Sequence, residues 1–196
     1  SLQPPPSPRW KELALGEGRL RVEENLPVAL AQKRGVSVAV LGLAIDSEEG
    51  ISDSDLIADR IADLILSGNS LEAIDEYVLW LGGRFVLIAG CEDRSRIHVD
   101  AMASRSCYWT VRNKQLFAAS HSALVAREIE EFSRKRAYWV LSNPDYESAA
   151  GKWLPGRITP HDCTELVSAN CVLSFDGERA LHSRIFPLEK HRISAE

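Results

Sequence analysis

Hydrophobic and polar residues trade places at two different periods along this chain, and the points where the period changes outline its elements. Gly18-Arg19-Leu20-Arg21-Val22-Glu23 alternates apolar and charged residues, the pattern of a strand with one face in water. Residues 35–45, GVSVAVLGLAI, form a longer apolar run rich in β-branched side chains, which predicts a more fully buried strand. At Ser52-Asp53-Ser54-Asp55 the period lengthens. These residues offer N-cap oxygens and first-turn negative charge, and Ile57, Ile61, Leu64 and Ile65 follow at helical spacing. That helix is expected to end near Ser67-Gly68-Asn69. Asn69 with Glu72 resembles a capping box opening a second helix, whose stripe is Leu71, Ile74, Val78 and Leu81.

After Gly82-Gly83 the period returns to two or to short apolar runs at residues 84–89, 96–99, 107–111 and 116–119, with Glu92-Asp93-Arg94 and Arg112-Asn113-Lys114 as turns. Four closely spaced strands with short polar turns predict an antiparallel meander. Residues 121–141 read as one long helix carrying Leu124, Val125, Ile129 and Phe132 on one side and ended by Asn143-Pro144. Leu154-Pro155-Gly156 and Asp176-Gly177 are the turns around a last hairpin, residues 170–175 and 180–184. This order of elements points to a layered α+β fold rather than to alternating βαβ units.

Bulk composition narrows the function classes. A chain of 196 residues with 45% hydrophobic and 26% charged content suits one globular domain with loose ends. Its net charge of −5 argues against a broad nucleic-acid footprint, and Arg134-Lys135-Arg136 reads as a solvated helix face. The four cysteines at 91, 107, 163 and 171 lack a CxxC spacing, which suggests free thiols in a reducing, cytoplasmic setting. His161-Asp162-Cys163 with Cys171 is too irregular for a metal site, so no metal or other cofactor is expected. No membrane span is expected either, since no stretch approaches about 20 apolar residues. The proline-rich start, Pro4-Pro5-Pro6-Ser7-Pro8, cannot join a central strand, and residues 1–17 are read as a flexible lead.

Leu81-Gly82-Gly83-Arg84-Phe85, the polar corner running from Asp100 through Arg105 to Tyr108-Trp109, and Ala118-Ala119-Ser120-His121 follow one another along the chain. With these pieces the segment from Gly83 to Ser120 resembles the glutaminase-type N-terminal domain of asparagine synthetases and other class II amidotransferases. Upstream, residues 38–42 look like the strand that in the family ends in Asn-Gly, and Ser52-Asp53 or Ser54-Asp55 like the pair opening the next helix. Downstream, Thr159-Pro160 and residues 166–170 resemble the turn before the final hairpin. The resemblance implies the N-terminal-nucleophile hydrolase fold, a four-layer αββα sandwich of two antiparallel sheets, over residues 18–187. Residues 188–196 would then be a tail or a linker into a synthetase domain.

It also implies lost chemistry. Active members open on a cysteine nucleophile, where this chain has Ser1, and they place an amide-bearing asparagine where Leu41 precedes Gly42. Losing one oxyanion donor costs about 100- to 1,000-fold in turnover. The candidate degenerate cleft is Leu41, Gly42, Asp53, Asp55 and Asp100, with Arg105, Tyr108 and Trp109 as a structural corner. Three functions compete: a non-catalytic domain serving a synthetase domain elsewhere in the polypeptide; a residual amide hydrolase using Cys91 or Cys107 with His98 or His121; and a stand-alone module binding an amino-acid-like ligand or assembling, for instance as a homo-oligomer. No Ser-Gly-Gly-x-Asp-Ser nucleotide loop occurs in the chain.

Overall fold

The computed structural model describes residues 9–148, 154 and 156–187, and the chain divides after Ser95 into two compact units. The proline run, Pro155 and residues 188–196 with their expected linker lie outside the described residues.

The first unit is a helix-backed antiparallel sheet with a hairpin. Strands β1 (Trp10–Leu15) and β2 (Gly18–Glu23) pair from Trp10↔Glu23 to Leu15↔Gly18. β1 falls inside the stretch read as a flexible lead. Its pattern is hard to see because Trp10, its largest side chain, points outward while Leu13 and Leu15 turn inward. β3 (Val28–Lys33), β4 (Val36–Asp46) and β5 (Leu81–Cys91) form the sheet in the order β5-β4-β3.

Helix α1 (Ser54–Gly68) covers one face of that sheet. Ile57, Ala58, Ile61, Ala62 and Ile65 meet Ala29, Ala31, Val38, Val40 and Ala44, and the alanines let helix and strands approach closely. Each branched side chain sealed here contributes about 1.5–3 kcal/mol. Asp53 caps α1 by accepting the Asp55 N–H at 2.9 Å, as the sequence predicts. Asn69 does not open a second helix: it closes α1 in the left-handed conformation, φ 49°, and its N–H donates to the Ile65 carbonyl. Ser70 takes the N-cap role one residue later, so the expected second helix shrinks to a 3-10 turn at Leu71–Ile74 and α2 at Asp75–Val78.

Gly83 shows why a glycine pair opens β5. It holds φ +114°, and a Cβ there would sit 2.2 Å from the Leu43 carbonyl oxygen. At Gly82 the nearest atom to such a Cβ, the Ile45 carbonyl oxygen, is 3.9 Å away, an ordinary contact.

In the second unit, β6 (Arg94–Val99), which straddles the division, neighbours β10 (Cys171–Phe175), and β10 pairs with β11 (Ala180–Arg184) from Cys171↔Arg184 to Phe175↔Ala180. A second antiparallel sheet has β7 (Tyr108–Arg112) between β8 (Gln115–Ala119) and the two-residue β9 (Glu165–Leu166). The β7–β8 turn carries Asn113 and Lys114 at φ 50° and 59°, as a tight hairpin demands.

The long helix expected over residues 121–141 is two. α3 (Ser122–Glu128) stops where Glu130 takes φ 54°, and α4 (Lys135–Leu141) starts afresh. The break is fixed from a distant loop: the Asp162 carboxylate accepts the Ser133 hydroxyl and the N–H groups of Lys135 and Arg136, supplying α4 with a cap that no local residue provides. Asn143-Pro144 does end α4, and it also begins α5 (Pro144–Ser148), with the Asn143 side chain accepting the Asp145 N–H at 2.8 Å. The architecture is thus α+β, with several antiparallel sheets and few helices.

Candidate functional site

The five residues proposed as a degenerate cleft are placed by strand alternation and by the division of the chain. Val38, Val40, Gly42 and Ala44 share the β4 face that packs on α1. Leu41 points to the opposite face, half-buried, in register with Val28 on β3 and Val86 on β5. Asp53 and Asp55 stand exposed at the start of α1, so they lie across the sheet from the Leu41 side chain. Leu41 therefore shares no pocket with these carboxylates. Gly42 is buried, and its N–H donates to the Pro27 carbonyl at 2.9 Å. Neither the Leu41 side chain nor the Gly42 N–H is a free donor at this step: the side chain has no polar atom, and the glycine N–H already extends the ladder.

Asp100, 3% exposed, is the hub of the polar corner in the second unit. Its carboxylate accepts the N–H of Met102 at 3.2 Å, Ser104 at 3.1 Å and Arg105 at 3.3 Å, and the Ser104 hydroxyl at 2.8 Å. The Asp100 carbonyl accepts the Ala103 N–H at 2.7 Å, closing a turn in which Ala103 takes φ 47°. Burial works to raise this carboxyl, yet the hydrogen bonds from Ser104, Arg105 and Met102 outweigh it and hold the group below its ordinary range. Tyr108 and Trp109 follow on β7, both half-buried. Asp100 is thus occupied by its own loop, and the polar run from 100 to 105 is a self-satisfied corner.

Of the thiols and imidazoles considered as an alternative catalytic pair, Cys107 and His98 are electrostatically unsuited to it. Burial pushes the Cys107 thiol up to about 12, which leaves essentially no thiolate at neutral pH. His98 is fully buried on β6, and burial with the nearby Arg96 charge depresses it to about 3. His121 lies before α3, with Nδ1 2.9 Å from the Ser120 hydroxyl. His161, Asp162 and Cys163 turn in three directions: His161 Nδ1 lies 3.0 Å from the Ser122 hydroxyl, Asp162 caps α4, and the Cys163 thiol donates to the Glu131 carbonyl at 3.3 Å.

A buried neutral histidine makes the fold acid-sensitive. The native state refuses a proton that the unfolded chain accepts at about pH 6.5, so stability is intact above that value and declines as pH falls toward about 3. Denaturant unfolding at pH 7 and pH 4.5 should differ by about 2–3 kcal/mol on account of His98 alone. The variant His98→Gln, if it folds, should show a visibly smaller difference.

Sequence reasoning passed over one buried centre. Asp46, at the end of β4, is fully buried and accepts the Glu48 and Glu49 N–H groups, each at 3.0 Å, and the Tyr77 hydroxyl at 2.8 Å, with Arg60 3.9 Å away. The Glu49 and Glu48 N–H groups and the Tyr77 hydroxyl hold the carboxyl low against its burial, while desolvation and Asp46 raise the tyrosine. In the sequence, the only cue was a charge ending an apolar run. The arrangement ties β4, α1 and α2 together.

Fold and site together define an α+β protein whose buried carboxylates, Asp46 and Asp100, are spent on local geometry. No protein-family model matches the chain, and no curated protein matches it. A structure described as that of the allosteric regulatory enzyme of purine biosynthesis aligns with 84% of this chain at 13% identity and a TM-score of 0.46. The match covers 32% of that enzyme's chain. No helix among the described residues is long and apolar enough to cross a membrane.

Proposed function

We propose that this chain is a non-catalytic, amidotransferase-like domain of an asparagine-synthase-related protein, one that packs against or regulates a synthetase domain outside these residues. The sandwich layering of N-terminal-nucleophile hydrolases belongs to this proposal. Its support is the run of residues from Leu81 to His121 that matches the family in order and spacing.

The observation that carries the loss of catalysis is at the end of the β4 match. Of the asparagine and glycine that stabilise an oxyanion in the family, the first corresponds to the Leu41 side chain and the second to Gly42, whose N–H is bonded to Pro27. An oxyanion needs donors that are aimed and unspent, and neither condition holds here.

The test is glutamine itself. Purified chain is expected to release no ammonia above the uncatalysed background, and glutamine or asparagine is expected to leave its thermal unfolding unchanged. An amino-acid-binding module would instead gain about 2.7 kcal/mol at one hundred times the dissociation constant.

A further inference from the structure

We propose that the outer face of α4, with the turn before it, is a docking surface for an acidic, apolar-bearing polypeptide segment of a partner protein. Within eight residues this stretch exposes Phe132 at 61%, Tyr138 at 69% and Trp139 at 63%, interleaved with Arg134, Lys135 and Arg136. Isolated exposed apolar side chains are ordinary, but three aromatics beside Arg134 and Arg136 form a set of the residue types enriched at protein interfaces, and Lys135 adds a third positive charge.

The surface is held in place from behind. Ala137 and Val140 are buried on the inner side of α4. Asp162 accepts hydrogen bonds from Ser133, Lys135 N–H and Arg136 N–H, and the Arg136 guanidinium donates to the Asp162 carbonyl at 3.3 Å. A clamped backbone presents its outward side chains at little ordering cost to a partner.

Charge selects the occupant. Neither Arg134 nor Lys135 forms a salt bridge among the described residues, and they form a cationic spot on a chain of net charge −5. Two copies meeting through this same face would set three cations against three, which disfavours a symmetric self-contact. A nucleic acid is a poorer fit as well. Its extended backbone needs a longer cationic track, and exposed Glu128 and Glu130 stand at one end of this one, with Glu131 already 3.7 Å from Arg112. A short segment with two or three carboxylates among aromatic or leucine side chains matches both components.

The experiment uses the full chain and three fluorescein-labelled probes read by anisotropy: a 12-residue peptide alternating Glu with Leu and Phe, its Lys-for-Glu counterpart, and a 12-nucleotide single strand. The acidic peptide should bind, and Arg134→Glu with Lys135→Glu, or Trp139→Ala alone, should each weaken it by about tenfold or more. The thermal unfolding midpoint should be unchanged in both variants. No binding of the acidic peptide, binding insensitive to these variants, or equally tight binding of the lysine peptide or the oligonucleotide would each overturn the proposal. So would a large drop in the unfolding midpoint of Trp139→Ala, since it would show that Trp139 serves the fold.

Discussion

Replacing Gly83 with alanine is expected to destabilise the protein by about 2–4 kcal/mol, whereas the same change at Gly82 should stay within about 1 kcal/mol. The two glycines are adjacent on β5, so the contrast isolates geometry from composition. At Gly83 the new methyl carbon would meet the Leu43 carbonyl oxygen at 2.2 Å while the backbone holds φ +114°, a region closed to alanine. Strands β4 and β5 pair along eleven residues, from Val36↔Cys91 to Asp46↔Leu81, and relief of the clash must distort that ladder. At Gly82 the methyl finds ordinary contact distance. Urea unfolding of the two variants, followed by far-UV circular dichroism, reads the difference directly. Equal midpoints would show that the approach of β5 to Leu43 is looser than described.

The second large effect is at Asp100. Asp100→Ala should cost about 3 kcal/mol or more, because the Met102, Ser104 and Arg105 N–H groups and the Ser104 hydroxyl lose their shared acceptor in a corner where the carboxylate is nearly inaccessible. Asp100→Asn keeps one oxygen and should cost roughly half as much. The sign with pH follows from the lowered carboxyl: its contribution is complete above the unfolded value of about 3.9 and is lost as pH falls through the lower folded value. Acid unfolding of the wild type should therefore steepen below about pH 4, and the asparagine variant should show a shallower limb there, with Asp46 among the carboxylates that supply what remains. Wild-type stability in both variants would mean that the corner is held by something other than its carboxylate.

Strands with alternating or long apolar runs were legible in the sequence, as were those flanked by polar turns. β2, β4, β10 and β11 appear within a residue or two of expectation, because period-two patterning and Asp-Gly turns are local signals. β1 and β3 were not legible: Trp10 faces outward against the pattern, and Val28-Ala29-Leu30-Ala31 reads the same at either period. The break between α3 and α4 depends on Asp162, 26 to 29 residues away, and no local propensity encodes that. At the site, that the Leu41 side chain brings no hydrogen-bond donor could be read directly. The engaged Gly42 N–H, the separation of Leu41 from Asp53 and Asp55 by the sheet, and the Asp46 centre could not, since each is a matter of register and packing.

The central claim is that the Leu41-Gly42 step within β4, where the ladder to β3 ends, offers an oxyanion neither a side-chain donor nor an unspent Gly42 N–H, and ammonia release from glutamine by the purified chain tests it most directly. The account predicts a rate indistinguishable from glutamine in buffer, for the wild type and for Leu41→Asn alike, because the Gly42 N–H stays bonded to Pro27 in both. Turnover on the order of 1 per second or faster, within the ordinary range for enzymes, would contradict it.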